Sequence, residues 1–380
     1  LLPASLGHPN GNPYFGILAF LILPAVFLGG LLLIPIGIAI KRRRGPPESR
    51  DKIGPLVLTS ANPEWMKLVR FLAVTTVMNI AIAGYAAFGA VSYMDSNSFC
   101  GRACHFVMAP EYTALAAGSH AQVECVACHI GPGAAGFIKA KMGGIRQLAM
   151  LATNTYSRPI PGAADSMMPA KVRCERCHSL IRQTGDKLVI FSRFNDDEQN
   201  TPATTVLAVH VGKIHSTHVD NLDCLECHNR PAHRFESPEA GVDAALARAA
   251  ISRALPFARK QGVAILQKPY ASREVAAAQI PAAFADYYRQ TYPDVSSKNS
   301  AEIAGAGTEL AAIYARNVYP DLKLGWNAHP SNLGHTEAPG CFRCHDGGAI
   351  TQDCGTCHNL LAVGEADPQI LKDLGMAGTP

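Results

Sequence analysis

The chain is poor in aromatic side chains and in charge. Phe, Tyr and Trp make up 7% of its 380 residues, with only two tryptophans, and Asp, Glu, Lys and Arg together make up 17%. Neither sign of charge dominates, the formal net being +4. So small a basic excess builds no field able to grip a phosphate backbone, which excludes a nucleic-acid binder. Full disorder is excluded too, because 48% of the residues are hydrophobic and the net charge is low. The aromatic shortage implies that something other than Phe, Tyr and Trp fills part of the interior. The length predicts two or three domains.

Charge is missing altogether from the first forty residues, where Tyr14 to Ile40 is a mostly apolar run of 27. At about 1.5 Å rise per residue, such a run crosses ~30 Å of hydrocarbon with some tilt. Its positive charges, Lys41, Arg42, Arg43 and Arg44, come after it. A secretory signal carries them before its apolar run, so this segment reads as a retained transmembrane helix. Phe71 to Met94 is a second uncharged run, of 24 residues. The alternative for each is a buried helix of a soluble domain. The segment 41–70 between them holds eight Lys/Arg against three Asp/Glu. That bias predicts a cytoplasmic loop and puts everything after Met94 in the periplasm or its equivalent. Neither run contains a histidine, so neither supplies a bis-His pair for a b-type haem.

No cysteine is left over from a single pattern. All twelve fall into six pairs, each followed directly by histidine. Five read Cys-x-x-Cys-His: Cys125/Cys128/His129, Cys174/Cys177/His178, Cys224/Cys227/His228, Cys341/Cys344/His345 and Cys354/Cys357/His358. The remaining one, Cys100/Cys104/His105, is expanded by one residue. This is the attachment pattern of c-type haem. Cysteines at i and i+3 share one face of a helical turn, so both reach one porphyrin edge, and the next residue reaches the iron. Zinc ribbons use Cys-x-x-Cys without needing the histidine, and a disulfide framework imposes no such spacing. Six covalently bound c-type haems are therefore expected. In the expanded motif an α-helical path would rotate His105 a further ~100°. Met108, four residues beyond Cys104, is then a second candidate ligand, the alternative being ordinary packing.

Six irons need up to six further ligands. Outside the motifs, and excluding His8 before the first run, the histidines are His120, His210, His215, His218, His233, His329 and His335. His120, His218, His233 and His335 are the best placed by sequence. Supply roughly matches demand, which favours closed, electron-transferring irons over an open substrate-binding one. The sequence does not say which histidine serves which haem.

The motifs divide the chain. Residues 1–94 form a membrane anchor with helices at about 14–40 and 71–94. Residues 95–235 carry four motifs, 236–338 carry none, and 339–380 carry two only 13 residues apart. The motif-free part reads as a helical spacer or docking element. Ser237 caps one helix ahead of Pro238, a second covers about Ser272 to Tyr288 with a break or kink at Pro281, and a third runs from Ala301 to Val318. Lys187–Phe191 and Thr204–Val211 read as a β-hairpin around a polar turn at Asn195–Asn200.

The first haem block resembles the NapC/NirT/NrfH family of membrane-anchored tetrahaem quinol dehydrogenases. The resemblance rests on the transmembrane run leading into Cys104, His105 and Met108, on His120 before the second motif, on Lys141 in a Gly-rich segment, and on His215, His218, Cys224, Cys227, His228 and His233. It covers about residues 70–235. The chain departs from that family in its second span, its expanded first motif and the lack of an acid after Lys141, where Arg146 and Gln147 follow.

The fold expected is mainly α: two transmembrane helices, then a loop-rich, haem-packed periplasmic domain with a small β-hairpin and a helical C-terminal extension. The function expected is electron transfer between membrane quinone or quinol, or a membrane complex, and a periplasmic redox protein. Only five residues separate Met94 from Cys100, which sets the first haem at the bilayer surface. Lys139 and Lys141 are then candidate proton acceptors for quinol oxidation, the alternative being interfacial anchoring. A second reading is a passive wire whose quinol chemistry belongs to another membrane subunit. A third, a terminal reductase with an open haem, is weakened by the lack of any Cys-x-x-Cys-Lys. The loop 41–70 contributes +5, leaving the rest at −1. Six haems would add about twelve propionates, so a partner with a basic face is expected.

Overall fold

The computed structural model describes residues 29–30, 33, 36–37, 40, 63–103, 106–130, 133–161, 173–178, 185–211, 225, 228–326, 328–335, 340, 355 and 358–376. The chain divides into two compact units, Leu1–Phe106 with Glu124–Val126, and Val107–Val123 with Ala127–Pro380.

The first unit is dominated by α1, Pro63–Asp95. Its stretch Val69–Asp95 is the one helix among the described residues long and apolar enough to cross a membrane. Phe71, Val74, Met78, Ile82, Tyr85 and Phe88 are all exposed. With the exposed Val77 and Ile80 they cover more than half of the helix circumference, a wider apolar face than the stripe of a helix packed on a soluble core. The match to the predicted 71–94 run is close. The predicted run Tyr14–Ile40 lies almost wholly outside the described residues. Beyond α1, Ser96 stops the helix by accepting from the Phe99 N–H at 3.2 Å. A π-helical turn, Phe99–Ala103, follows.

In the second unit, a 3-10 turn at Phe106–Met108 leads into α2, Ala109–Ala117. Two helices follow, α3 (Cys125–His129), whose first two residues belong to the first unit, and α4 (Gly133–Ala152). The predicted hairpin is present as β1, Gly185–Phe191, antiparallel to β2, Thr204–Val211, in register from Gly185↔Val211 to Phe191↔Thr205. It is not an isolated hairpin. A third strand, β3 (His358–Glu365), adds antiparallel to β2, giving the order β1-β2-β3. The alternating pattern of β2 buries Val206 against Ala362 and against Leu371 of a short final helix, so the sheet has an apolar face to offer a third strand.

The motif-free region folds as helices α5 (Pro238–Ala247), α6 (Ala258–Leu266), α7 (Arg273–Thr291), α8 (Pro293–Lys298) and α9 (Ser300–Asn317). Ser237 caps α5 by accepting from the Ala240 N–H, and Ser272 caps α7 through the Val275 N–H. The expected break at Pro281 does not occur: α7 runs through it. Pro281 packs against Gly307 of α9, where a Cβ would lie 2.9 Å from the Pro281 Cα. Glycine therefore lets the two helices close over the proline. The core is Leu246, Ile251, Leu255, Leu266, Ile280, Phe284, Tyr288, Leu310 and Ile313. Much of the chain's small aromatic complement is concentrated here, with Tyr270 against Tyr314, Tyr314 against Trp326, and Phe284 against Tyr288.

This helical block is tied to the rest of its unit. Asn200, 0% exposed at the hairpin tip, donates to the carbonyls of Arg253 and Leu255 and accepts from the Arg259 N–H. Arg259 also grips Asp243 of α5 at 2.6 Å and Asp196 of the hairpin turn at 2.8 Å. The Tyr319 hydroxyl donates to the Thr113 hydroxyl of α2 at 3.2 Å, and that hydroxyl donates in turn to the Ala109 carbonyl. The helices thus brace both the hairpin and α2.

Candidate haem-ligating site

Two attachment motifs form single helical turns. Cys125, Cys128 and His129 make up α3, which sets both thiols on one face and the imidazole one step round. The Asn97 side chain accepts from the Cys125 N–H at 2.7 Å. In the third motif, the Cys174 carbonyl accepts from the Cys177 and His178 N–H groups at 3.1 and 2.7 Å, closing the same kind of turn. Both turns have the shape that two thioethers and one axial imidazole require, so these residues fit a c-type haem.

In the expanded first motif, Cys100 lies in the π turn, and π geometry takes up one extra residue per turn. Met108 ends the 3-10 turn Phe106–Met108, while Cys104 and His105 lie outside the described residues. The Cys100 and Cys125 side chains are hydrogen-bonded, which lowers the Cys125 thiol to about 7. The first and second motifs thus meet at their leading cysteines.

Histidines converge in three pairs. His178 lies 6.0 Å, ring centre to ring centre, from His120. His129 lies 6.2 Å from His233, and His358 lies 6.2 Å from His335. Each pair joins one motif histidine to one histidine outside the motifs. Two of the outside members are held by main-chain carbonyls. His120 Nδ1 is 3.1 Å from the Pro231 carbonyl, and His233 Nδ1 is 2.9 Å from the Glu111 carbonyl. A carbonyl only accepts, so each contact calls for a proton on Nδ1, which leaves Nε2 as the ligating nitrogen of the neutral ring; at His120 the Ser119 hydroxyl also stands 3.1 Å from Nδ1. That is the tautomer a metal ligand needs.

A charged clamp surrounds His233. Arg230 donates to Glu111 at 3.2 Å and to the His233 carbonyl at 3.4 Å, and its guanidinium lies over Phe235. Burial holds His129 below its ordinary value, helped by His233 and Arg173 and opposed by Glu111. Burial, then His178, lowers His228 as well. Glu111, Arg230 and Pro231 were not anticipated from sequence. They carry no motif, and they meet only because residues more than a hundred positions apart come together.

Other expected ligands stand apart from these pairs. His210, on β2, is buried, with Nδ1 2.7 Å from Asp186. His329 packs on Phe235, and burial together with Arg230 lowers it to about 4, so its imidazole is neutral at neutral pH. Asn229, next to His228, donates to the Pro330 carbonyl and accepts from the Asn332 N–H, holding the His329 segment beside the fourth motif. Cys104, His105, Cys224, Cys227, Cys341, Cys344, His345, Cys354, Cys357, His215 and His218 lie outside the described residues. Among the described residues no three His, Cys, Asp or Glu side chains gather as a bare-ion site.

Lys139 is exposed on α4, and the Lys141 side chain lies outside the described residues. α4 also exposes Ile138, Met142, Ile145 and Leu148, spaced along one side, and has no acidic residue.

The chain is 30% identical, over an alignment of 414 positions, to the cytochrome c-type protein ImcH of Geobacter sulfurreducens, covering 92% of this chain and 82% of that protein. No family model matches, and no solved structure matches. These findings overturn the resemblance to the NapC/NirT/NrfH family. The features that carried it, an apolar run leading into closely spaced motifs with histidines around them, do not by themselves define that family.

Proposed function

Since the chain belongs to the family of the cytochrome c-type protein ImcH, we propose that it is a membrane-anchored hexahaem c-type cytochrome that moves electrons between the membrane quinone pool and a periplasmic redox protein. The observation that carries this reading is the pairing of helical-turn motifs with a second histidine whose Nδ1 is turned to a main-chain carbonyl. The six Cys–His motifs would hold one haem each, through Cys100 and Cys104, Cys125 and Cys128, Cys174 and Cys177, Cys224 and Cys227, Cys341 and Cys344, and Cys354 and Cys357. Bound haem supplies reversible one-electron transfer, and the residues of the chain fix its position and keep its iron closed.

The anchor is read as two spans, α1 and the run at 14–40, with 41–70 cytoplasmic and the motifs on the periplasmic side. The 27 residues of Val69–Asp95 amount to about 40 Å of helix, enough to cross and emerge just before Cys100. α4, apolar on one side and cationic through Lys139 and Arg146, suits the headgroup layer. A quinol bound there must release two protons with its two electrons, and Lys139 and Lys141 are the candidate acceptors. An ammonium group has no lone pair to offer, so each would act by orienting the water that takes up the proton.

A second reading is favoured by the absence of any carboxylate on α4. Another membrane subunit would then oxidise quinol, and this chain would only conduct. One experiment separates the two. The full-length protein, purified in lipid nanodiscs, is mixed with menaquinol and ubiquinol analogues while the haem absorbance is followed. Reduction by the isolated protein supports direct quinol oxidation. Full reducibility by dithionite with no response to either quinol assigns the chain to the wire.

A further inference from the structure

We infer that three of the irons are closed by crossed histidine pairs: His129 with His233, His178 with His120, and His358 with His335. The inference rests on the proposed haem attachment and says which residue completes which site. Two metal–imidazole bonds of about 2.0 Å, and about 1.1 Å from each nitrogen to its ring centre, put axial rings about 6.2 Å apart. The three pairs stand at 6.0, 6.2 and 6.2 Å. Spacing alone does not distinguish ligands from an ordinary aromatic contact, which falls in the same range. Two further observations do. Every pair takes one member from a Cys-x-x-Cys-His motif and one from outside the motifs. And in two pairs the outside member turns its Nδ1 to a main-chain carbonyl, the arrangement that leaves Nε2 to a metal when the ring is neutral, with the Ser119 hydroxyl also at His120 Nδ1.

The pairing is not the one proximity in sequence would select. His120 stands five residues before Cys125 yet faces His178 of the third motif. His233 stands five residues after His228 yet faces His129 of the second. The two crossings lock each other. The segment bearing His233 supplies the Pro231 carbonyl that orients His120, and the helix leading to His120 supplies the Glu111 carbonyl that orients His233. The second and third haems are therefore completed together, and neither distal ligand is in place until 111–120 and 231–233 have met. The third pair closes the sixth motif at the start of β3, so addition of that strand to β2 is coupled to ligation by His335.

The test replaces each outside histidine in the full-length protein, as His120→Met, His233→Met and His335→Met. Haem content is measured by the pyridine haemochrome assay, and ligation by near-infrared magnetic circular dichroism with redox titration. The expected result is an unchanged haem count in each variant, with one bis-His site converted to His–Met and one midpoint potential raised. Unchanged bis-His spectra in all three variants, at full haem content, would overturn the pairing. If a variant does not accumulate, the wild-type spectrum still decides: fewer than three bis-His haems contradicts the inference, and three or more, with glycine variants regaining low-spin haem on adding imidazole, supports it. A protein with no covalent haem would instead refute the proposed function, which keeps the two failures distinct.

Discussion

The Nδ1–H of His233 donates to the main-chain carbonyl of Glu111 at 2.9 Å, joining two residues 122 positions apart. The same glutamate holds Arg230 through its carboxylate at 3.2 Å, with both side chains largely buried. The main-chain contact orients the imidazole, and the ion pair keeps the strands of the clasp together. Glu111→Gln leaves the first contact intact and removes the charge facing Arg230. A half-buried guanidinium without its counter-charge is expected to cost about 1–3 kcal/mol. Thermal unfolding in detergent should show a transition lowered by several degrees. An unchanged transition would remove the clasp from the account.

The π turn at Phe99–Ala103 yields a prediction about the expanded motif. If the turn absorbs the extra residue, deleting the exposed Arg102 lets the segment return to α geometry with ordinary Cys-x-x-Cys-His spacing. The variant should still carry six haems by pyridine haemochrome and intact mass. Five haems would mean that the expanded spacing itself is required for attachment at this site.

In the helical block, Gly307 meets Pro281 across α7 and α9. A methyl group there would lie 2.9 Å from a backbone carbon that has nowhere to move. Gly307→Ala is expected to destabilise the protein by about 1–3 kcal/mol. Phe284→Ala, at a 0% exposed core position, should cost about 3–5 kcal/mol. Both are read from chemical or thermal unfolding. Neither touches a motif, so the visible haem spectrum of the folded protein should be unchanged.

At the hairpin tip, the Thr201 N–H donates to Asp197 at 2.8 Å, and that bond lowers the Asp197 carboxyl below its ordinary 3.8. The folded state then favours the ionised form. Its contribution is complete above the ordinary value and is lost as pH falls through the lowered one. Hydrogen exchange at the Thr201 amide, compared between wild type and Asp197→Asn at matched pH, should differ at pH 6 and converge once the pH falls below the lowered value. Equal exchange at pH 6 would deny the cap a role.

Much of this organisation is legible in the residues, and the exceptions share a cause. The apolar runs Leu188–Phe191 and Val206–Val209 around the polar turn at Asn195–Asn200 mark the hairpin, and Ser237 before Pro238 marks the start of α5, because each signal is local. The third strand is not readable in the same way. His358–Glu365 becomes a strand by pairing with β2, whose apolar face is set by residues 150 positions earlier. Pro281 argues locally for a break, and a glycine on another helix overrides it. Six Cys–His motifs are plain in the cysteine spacing, whereas the histidines that face His129 and His178 depend on how 111–120 and 231–233 meet. Local resemblance also misled at the family level, since an apolar run, motifs and nearby histidines do not by themselves define a family.

The central claim is that every cysteine of this chain carries haem. Intact mass spectrometry of the full-length protein purified from membranes, with a pyridine haemochrome titration of the same sample, tests it most directly. The account predicts the chain mass plus six haems and no free thiol among the twelve cysteines. Fewer than six haems with the remaining cysteines titrating as thiols or disulfides, or zinc held in their place, would contradict it.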